Sequence, residues 1–173
     1  MPKGFVVQVK RTVRVIDVLY DIQDALGDEV MNFRPIMGRV REVRDSGHHA
    51  IIALHLAHSA NTDSRHVGTA ASCAIAAVAQ TVALAELHRC LELSNFLAAQ
   101  IIVDPSGQQQ LSLVNLTKTI ANLLRCGAVP IVSRKVDVFP CAASQQGYDK
   151  ASLFESAFFE ELTQSVGWRM ARA

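Results

Sequence analysis

The chain has 173 residues, a formal net charge of +1, and a composition that is 50% hydrophobic and 19% charged. This balance is typical of one folded domain with a sizeable core, and it excludes a disordered chain. The near-neutral charge also excludes the basic footprint that a nucleic-acid-binding domain carries.

The first half of the chain alternates between predicted strands and helices. Residues 5–10 have the composition of a strand, and Asp17–Leu26 places its apolar side chains on one helical face before Gly27. The next helix is predicted at Ile36–Arg44, and the short apolar run Ala50–Ala57 predicts a buried strand.

The same alternation continues in the second half, where Val67–Leu93 is the longest helical stretch and is rich in alanine. No apolar run approaches the ~18 residues that a membrane span requires, so this stretch is predicted as a buried helix. A strand is predicted at Phe96–Asp104, followed by a helix at Leu116–Cys126 that ends before Gly127. A further strand is predicted at Ala128–Phe139, and an amphipathic helix at Ala151–Ser165.

The order of these elements predicts the fold class. Parallel strands need crossover connections, so strands that alternate with helices indicate a mostly parallel sheet with helices on both faces. We therefore expect an α/β three-layer sandwich in residues 1–145, with residues 146–173 as a C-terminal amphipathic helix and tail.

The cysteines and the start of the chain bear on the cellular compartment. No two cysteines form a C-x-x-C pair, and all lie in apolar settings, which predicts buried free thiols in an intracellular protein. The first residues carry basic side chains and no acidic one, a bias compatible with mitochondrial import, although their alternation also fits a strand. The cysteines are Cys73, Cys90, Cys126 and Cys141, and the basic residues near the start are Lys3, Lys10, Arg11 and Arg14.

Histidine is enriched in one part of the chain, at His48, His49, His55, His58 and His66. A zinc site would need about four convergent ligands. Strand alternation does not force these side chains together, so we predict polar strand ends and a solvated loop, and no metal.

Ser133, Arg134 and Lys135 lie in the second half of the last predicted strand, toward the carboxyl end, where an α/β sheet usually carries its site residues. The basic pair is compatible with an anion-binding edge and with a solvated rim. The sequence has no Walker loop and no G-x-G-x-x-G motif, so the common phosphate-binding loops are missing.

Four blocks of sequence follow one another in a recognisable order. They are FVVQVKRTV, SGHHAIIALHLAHSAN, TAASCAIAAVAQTVALAEL, and NFLAAQIIVD followed by NLTKTIANLLRCGAVPIVSRKVDVF. In this order they resemble the amino-acid kinase family, and within it the substrate half of glutamate 5-kinase and of the kinase domain of pyrroline-5-carboxylate synthase. The resemblance implies an amino-acid-kinase-like sheet from about residue 5 to residue 139.

The resemblance also implies where the family's site residues fall in this chain. Gln80, Gln100 and Asn115 keep the family's residue types. The family's strand-one lysine falls at Gln8, and the glycine that follows it falls at Lys10. The family's Ser-Gly pair falls at His55 and Leu56, and its helix glycine falls at Ala79. Its substrate-binding acids and amides fall at Ser133 to Val136.

These replacements imply a loss of catalysis. Phosphoryl transfer depends on positioning and on charge neutralisation at the phosphates. Removing one charge-stabilising donor typically costs about a hundredfold to a thousandfold in rate. The tail after residue 139 is also too short for the family's C-terminal nucleotide half. The resemblance therefore implies a truncated, catalytically inactive relative with no catalytic, cofactor-binding or metal-binding residues.

The function expected on this basis is that of a structural or accessory subunit in a larger protein assembly, with self-association as a further option. Other protein subunits are the expected partners, and neither nucleic acid nor a membrane span is expected. The predicted contacts are the helix Val67–Leu93 and the aromatic tail residues Phe154, Phe158, Phe159 and Trp168.

Two alternatives remain open from the sequence. One is a glutamate 5-kinase-like phosphotransferase that another chain completes, with Lys10 or Lys135 in place of the lost lysine. The other is a module that binds an amino acid or an anion near Gln100, Asn115 and Arg134.

Overall fold

The computed structural model describes residues 12–21, 32–57, 70–103, 109–134 and 169–172. These residues form five strands and three helices. In chain order they are β1 (Thr12–Asp21), α1 (Arg34–Asp45), β2 (His49–Ala57), α2 (Ala70–Leu93), β3 (Ala98–Val103), α3 (Gln109–Arg125), β4 (Val129–Arg134) and β5 (Arg169–Arg172).

The strands form one sheet in the order β3-β4-β2-β1-β5, and all neighbouring strands pair in parallel. Pro130 fits into the central strand β4 because the ladder between β2 and β4 begins only after it, at Ile52 and Ile131. The predicted α/β class and the predicted parallel sheet are confirmed.

Helices cover both faces of the sheet. On one face, called the front, α1 and α2 pack on strand residues such as Ile52 and Ile131. On the other face, called the back, α3 places Ile120 and Leu124 against Val132 and its neighbours. Each face has its own buried cluster, so the described residues form three layers.

The two faces follow from the path of the chain along the sheet. The chain moves from β1 to β2 and on to β3 in one direction, and α1 and α2 lie on the front. It then returns from β3 to β4, and α3 lies on the back. Crossovers of one handedness require this change of face when the direction reverses.

The helix α1 shows how the local sequence sets one element. Pro35 lies in its first turn, where a missing backbone N–H costs nothing. Met37, Val40 and Val43 are its buried residues, at helical spacing. The chain leaves the helix through Gly47, whose φ of 77° suits glycine. The predicted helix Ile36–Arg44 is confirmed.

The helix α2 is rich in apolar residues along its length, and its charged residues Glu86, Arg89 and Glu92 all lie in its C-terminal part. Within the described residues its segment Ala74–Leu93 is long and apolar enough to cross a membrane by length and composition. The expectation that no stretch approaches that length was therefore wrong. Length and composition alone do not separate a membrane span from the core helix of a soluble domain. In this fold Ala83, Leu87 and Leu91 are fully buried in the front cluster.

The predicted helix Asp17–Leu26 is wrong over the residues that the structure describes, because Asp17 to Asp21 belong to β1. The apolar spacing of Val18 and Leu19 suggested one helical face. In fact Val18 is buried on the front while Leu19 is 68% exposed, which is the alternation of a strand.

Several predictions fall outside the described residues. These are the strand at residues 5–10, the helix Ala151–Ser165, and the aromatic tail residues. The family-derived positions Gln8 and Lys10 also precede β1. The short strand β5 was not predicted, and it comes from residues that the sequence analysis assigned to the tail.

Candidate functional site

The carboxyl end of β4 lies where the connections reverse. Its neighbours β2 and β3 lead into helices on opposite faces, and such a reversal is where open parallel sheets form a ligand crevice. The side chain of Ser133 at this end is 1% exposed, and its hydroxyl has no hydrogen-bond partner among the described residues. The side chain of Ser133 is therefore closed to solvent and cannot contact an anion from solution. The side chain of Arg134 lies outside the described part of the structure.

A groove opens farther along the front face, between α2 and the edge strand β3. We call it the α2–β3 groove, and its volume is about 390 Å³. That volume lies near the lower end of the range for ligand pockets. It is lined by Gln80, Thr81, Leu84, Ala85 and His88 from α2, and by Gln100 and Ile102 from β3.

The spacing of the groove residues follows from the two elements that carry them. Gln80, Leu84 and His88 recur every four residues, so they share one side of α2. Gln100 and Ile102 are two residues apart, so they share the front face of β3. The groove offers amide, hydroxyl and imidazole groups together with aliphatic carbon, and no Lys, Arg, Asp or Glu lines it.

The strand β3 is an edge of the sheet within the described residues. The carbonyl oxygen of Leu97 accepts a hydrogen bond from the backbone N–H of Val129 on β4, at 2.7 Å. Backbone groups alternate in direction along a parallel ladder. The N–H and C=O groups of Ala98, Gln100 and Ile102 therefore point away from β4, toward the open side.

The apolar surface continues from the groove onto the outer side of α2. Ile75, Val78 and Val82 are 47%, 54% and 38% exposed, and we call these three side chains the α2 stripe. Val78 lies three residues before Thr81, so the stripe borders the groove on the same helix. No charged residue occurs between Ala74 and Ala85.

A polar pair joins β1 and β2 elsewhere on the sheet. The Nε2 atom of His55 lies 3.2 Å from the Oδ1 atom of Asp17. His55 lies within β2, whereas the resemblance had aligned it with a Ser-Gly loop. The side chain of Asp17 is 62% exposed, so the pair is a surface contact rather than a buried catalytic one.

The histidines that are described do not form a metal site. Among the described residues no group of three or more His, Cys, Asp or Glu side chains converges. His49 and His55 are six residues apart on the extended strand β2, which separates them by roughly 20 Å. His58 and His66 lie outside the described residues.

The predicted ligand residues do not come together on one face. Gln100 lines the α2–β3 groove on the front. Asn115 is an exposed residue of α3, the helix that packs on the back. One pocket therefore cannot use both side chains. Gln80 does line the groove and is 8% exposed.

The cysteines that the structure describes are free, but they are not equally buried. Cys90 is partly buried and Cys126 is exposed, so the prediction of a buried thiol was wrong for Cys126. Burial raises the pKa of the Cys90 thiol, and the neighbouring Glu86 carboxylate raises it further. Glu86 is itself paired with Arg89, which lowers the pKa of the Glu86 carboxyl.

Sequence reasoning missed most of the groove. Thr81, Leu84, Ala85, His88 and Ile102 were not singled out, because nothing in a single sequence shows that this side of α2 faces β3. One signal was available. A six-residue strand with no charge and no proline is unusual for a sheet edge, and Ala98–Val103 has that composition.

No protein-family model matches this sequence, and no curated protein is significantly similar to it.

Proposed function

We propose that this protein is a catalytically inactive, amino-acid-kinase-like accessory subunit of a larger intracellular protein assembly. The single observation that carries the proposal is the continuous uncharged surface formed by the α2 stripe, the α2–β3 groove and the open edge of β3. Contiguous exposed apolar area generally marks an interaction site.

The residues at the carboxyl end of β4 support the inactive part of the proposal. The resemblance aligns Ser133 with the first of the family's substrate-binding polar groups. Its buried hydroxyl lacks a partner among the described residues and is not accessible to a substrate. A kinase substrate site would instead present solvent-accessible polar groups at this edge.

The assembly role can be tested by capture from native lysate with the full chain as bait. Val82→Lys places a charge in the α2 stripe and should abolish the specific partner. Leu19→Lys is the matched control, because Leu19 is also exposed and apolar but lies on β1. A wild-type chain that is monomeric by native mass spectrometry and captures no partner contradicts the proposal.

The catalytic alternative has its own test. Incubation of the full chain with ATP and glutamate should release no ADP above the blank, and calorimetry should detect no nucleotide binding. The contradicting result is ADP release by the isolated chain or by the captured assembly that a Lys135→Ala or Lys10→Ala substitution abolishes. That result would replace the accessory role with phosphotransfer. A mitochondrial location is compatible with the basic residues between Lys3 and Arg14, and cell fractionation checks it.

A further inference from the structure

We infer that the partner presents an extended, uncharged segment that adds to β3 as a further strand and places alternate side chains in the α2–β3 groove. This inference rests on the proposed accessory role and specifies how the partner is held. It is carried by three features of the same surface, which are the outward backbone groups of β3, the lack of charge along that edge, and the groove beside it.

The backbone of β3 requires a partner that offers backbone groups. The outward N–H and C=O groups of Ala98, Gln100 and Ile102 repeat every second residue. A strand presents donors and acceptors at that repeat, and strand addition is a common way to recognise an extended peptide. A helix uses its own backbone groups internally, so it cannot satisfy those of β3.

Among the described residues the sheet has two edge strands, and these differ in sequence. The strand β5 contains Arg169 and Arg172 among its four residues, and charged residues are common where an edge avoids further pairing. The strand β3 has the sequence AAQIIV, with neither charge nor proline. The edge that accepts another strand is therefore β3.

The groove decides the chemistry of the added segment. A strand paired with β3 directs every second side chain to the front face, where Gln100 and Ile102 line the groove. A charged side chain placed there would lose water without meeting an opposite charge. Aliphatic side chains fit against Leu84, Ala85 and Ile102, and small polar ones fit against Gln80 and Thr81.

A second copy of this chain fits the groove less well than a partner's segment. In an antiparallel pair of two β3 strands with Gln100 opposite Gln100, the residue of the second copy opposite Ile102 is its Ala98. That methyl group fills little of a groove of about 390 Å³. Larger aliphatic side chains on a separate segment fill it better, which favours a different partner.

The test begins with a phage-displayed library of short random peptides, panned on the full chain. We expect enriched peptides that are uncharged and alternate aliphatic with small residues. The best peptide is then synthesised with single backbone N-methyl groups. The peptide N–H groups that pair with β3 recur at every second position, and methylation of any of them should weaken binding about tenfold. Methylation at the positions between them should leave the affinity unchanged.

Variants of the full chain complete the test. Ile102→Lys charges the strand edge, and Thr81→Lys fills the groove from α2, so each should weaken peptide binding at least about tenfold. Leu19→Lys should bind as the wild type does. Thr81 is exposed, so Thr81→Lys keeps the test usable if Ile102→Lys fails to fold.

The contradicting outcomes are distinct. Enrichment of no peptide, enrichment of helical peptides, or equal binding to Thr81→Lys overturns strand addition. A wild-type dimer that Ile102→Lys converts to a monomer shows that a second copy occupies the edge, and it also overturns the inference. If Val82→Lys loses the captured partner while no peptide binds at β3, the accessory role stands and only the strand-addition inference fails.

Discussion

The hydroxyl of Tyr20 on β1 donates a hydrogen bond to the carbonyl oxygen of Ala79 in α2, with 3.4 Å between the two oxygens. Tyr20 is 6% exposed and Ala79 is fully buried. The contact connects an inner strand of the sheet to the helix that carries the groove and the stripe. This long contact adds a polar link to the apolar packing that positions α2 over the front face.

Tyr20→Phe should lower the free energy of unfolding by about 0.5–1.5 kcal/mol, because it removes the hydroxyl and leaves the Ala79 carbonyl buried without that donor. Urea denaturation followed by circular dichroism measures the change. Leu19→Ala, at the exposed neighbouring position, should change the free energy by less than about 0.5 kcal/mol. A Tyr20→Phe loss no larger than that of the control would show that the hydrogen bond does not hold α2.

Ser133→Ala should raise the free energy of unfolding by about 1 kcal/mol, because it removes a buried hydroxyl that has no partner among the described residues. Thr117→Val is the comparison, since Thr117 is fully buried but makes a polar interaction. That substitution should destabilise the fold. Destabilisation by Ser133→Ala would show that its hydroxyl is bound in the full chain.

Gly127→Ala should destabilise the fold by about 1–2 kcal/mol, because the residue has a positive φ that an L side chain adopts only with strain. The φ angle is 79°, and an added Cβ would lie 3.7 Å from a guanidinium nitrogen of Arg44. Space is therefore not the reason for the cost. Gly38→Ala in α1, with open space around it, should stabilise the fold by about 0.5–1 kcal/mol. Thermal melts that rank the two substitutions in the opposite order would contradict this account.

Alkylation should modify Cys126 faster than Cys90 at neutral pH. Burial raises the pKa of the Cys90 thiol, so a smaller fraction of Cys90 is present as the reactive thiolate. The rate of alkylation at Cys90 should therefore keep rising as the pH increases above the ordinary pKa of a thiol. Peptide mapping after iodoacetamide treatment separates the sites. Glu86→Gln should speed the reaction at Cys90, because it removes the carboxylate that also raises this pKa. An unchanged rate would exclude the electrostatic part of the explanation.

The strands and helices with both ends marked in the sequence were predicted well. The strand β2 is bounded by turn residues. The helix α3 ends at Arg125, one residue before the predicted end at Cys126, and the positive φ of Gly127 suits the residue that follows a helix. The start of α3 was predicted at Leu116, but the helix begins at Gln109 and includes the apolar residues Leu111, Leu113 and Val114, which the prediction left out.

Two errors have a tertiary cause. The segment Asp17–Leu26 was predicted as a helix because its apolar residues have helical spacing, but Asp17 to Asp21 extend the parallel pairing of β1 with β2, which local sequence cannot show. The strand β5 has no apolar pattern of its own. It forms because β1 has a free edge, with Thr12 aligned to Arg169 and Val15 to Arg172, and local sequence cannot report such pairing.

The pairing of β1 with β5 joins the first and the last of the described strands. Closing so long a loop is entropically costly, and distant contacts slow folding. We therefore expect the edge of β1 that faces β5 to be covered last, after β1 has paired with β2 and the front cluster has formed.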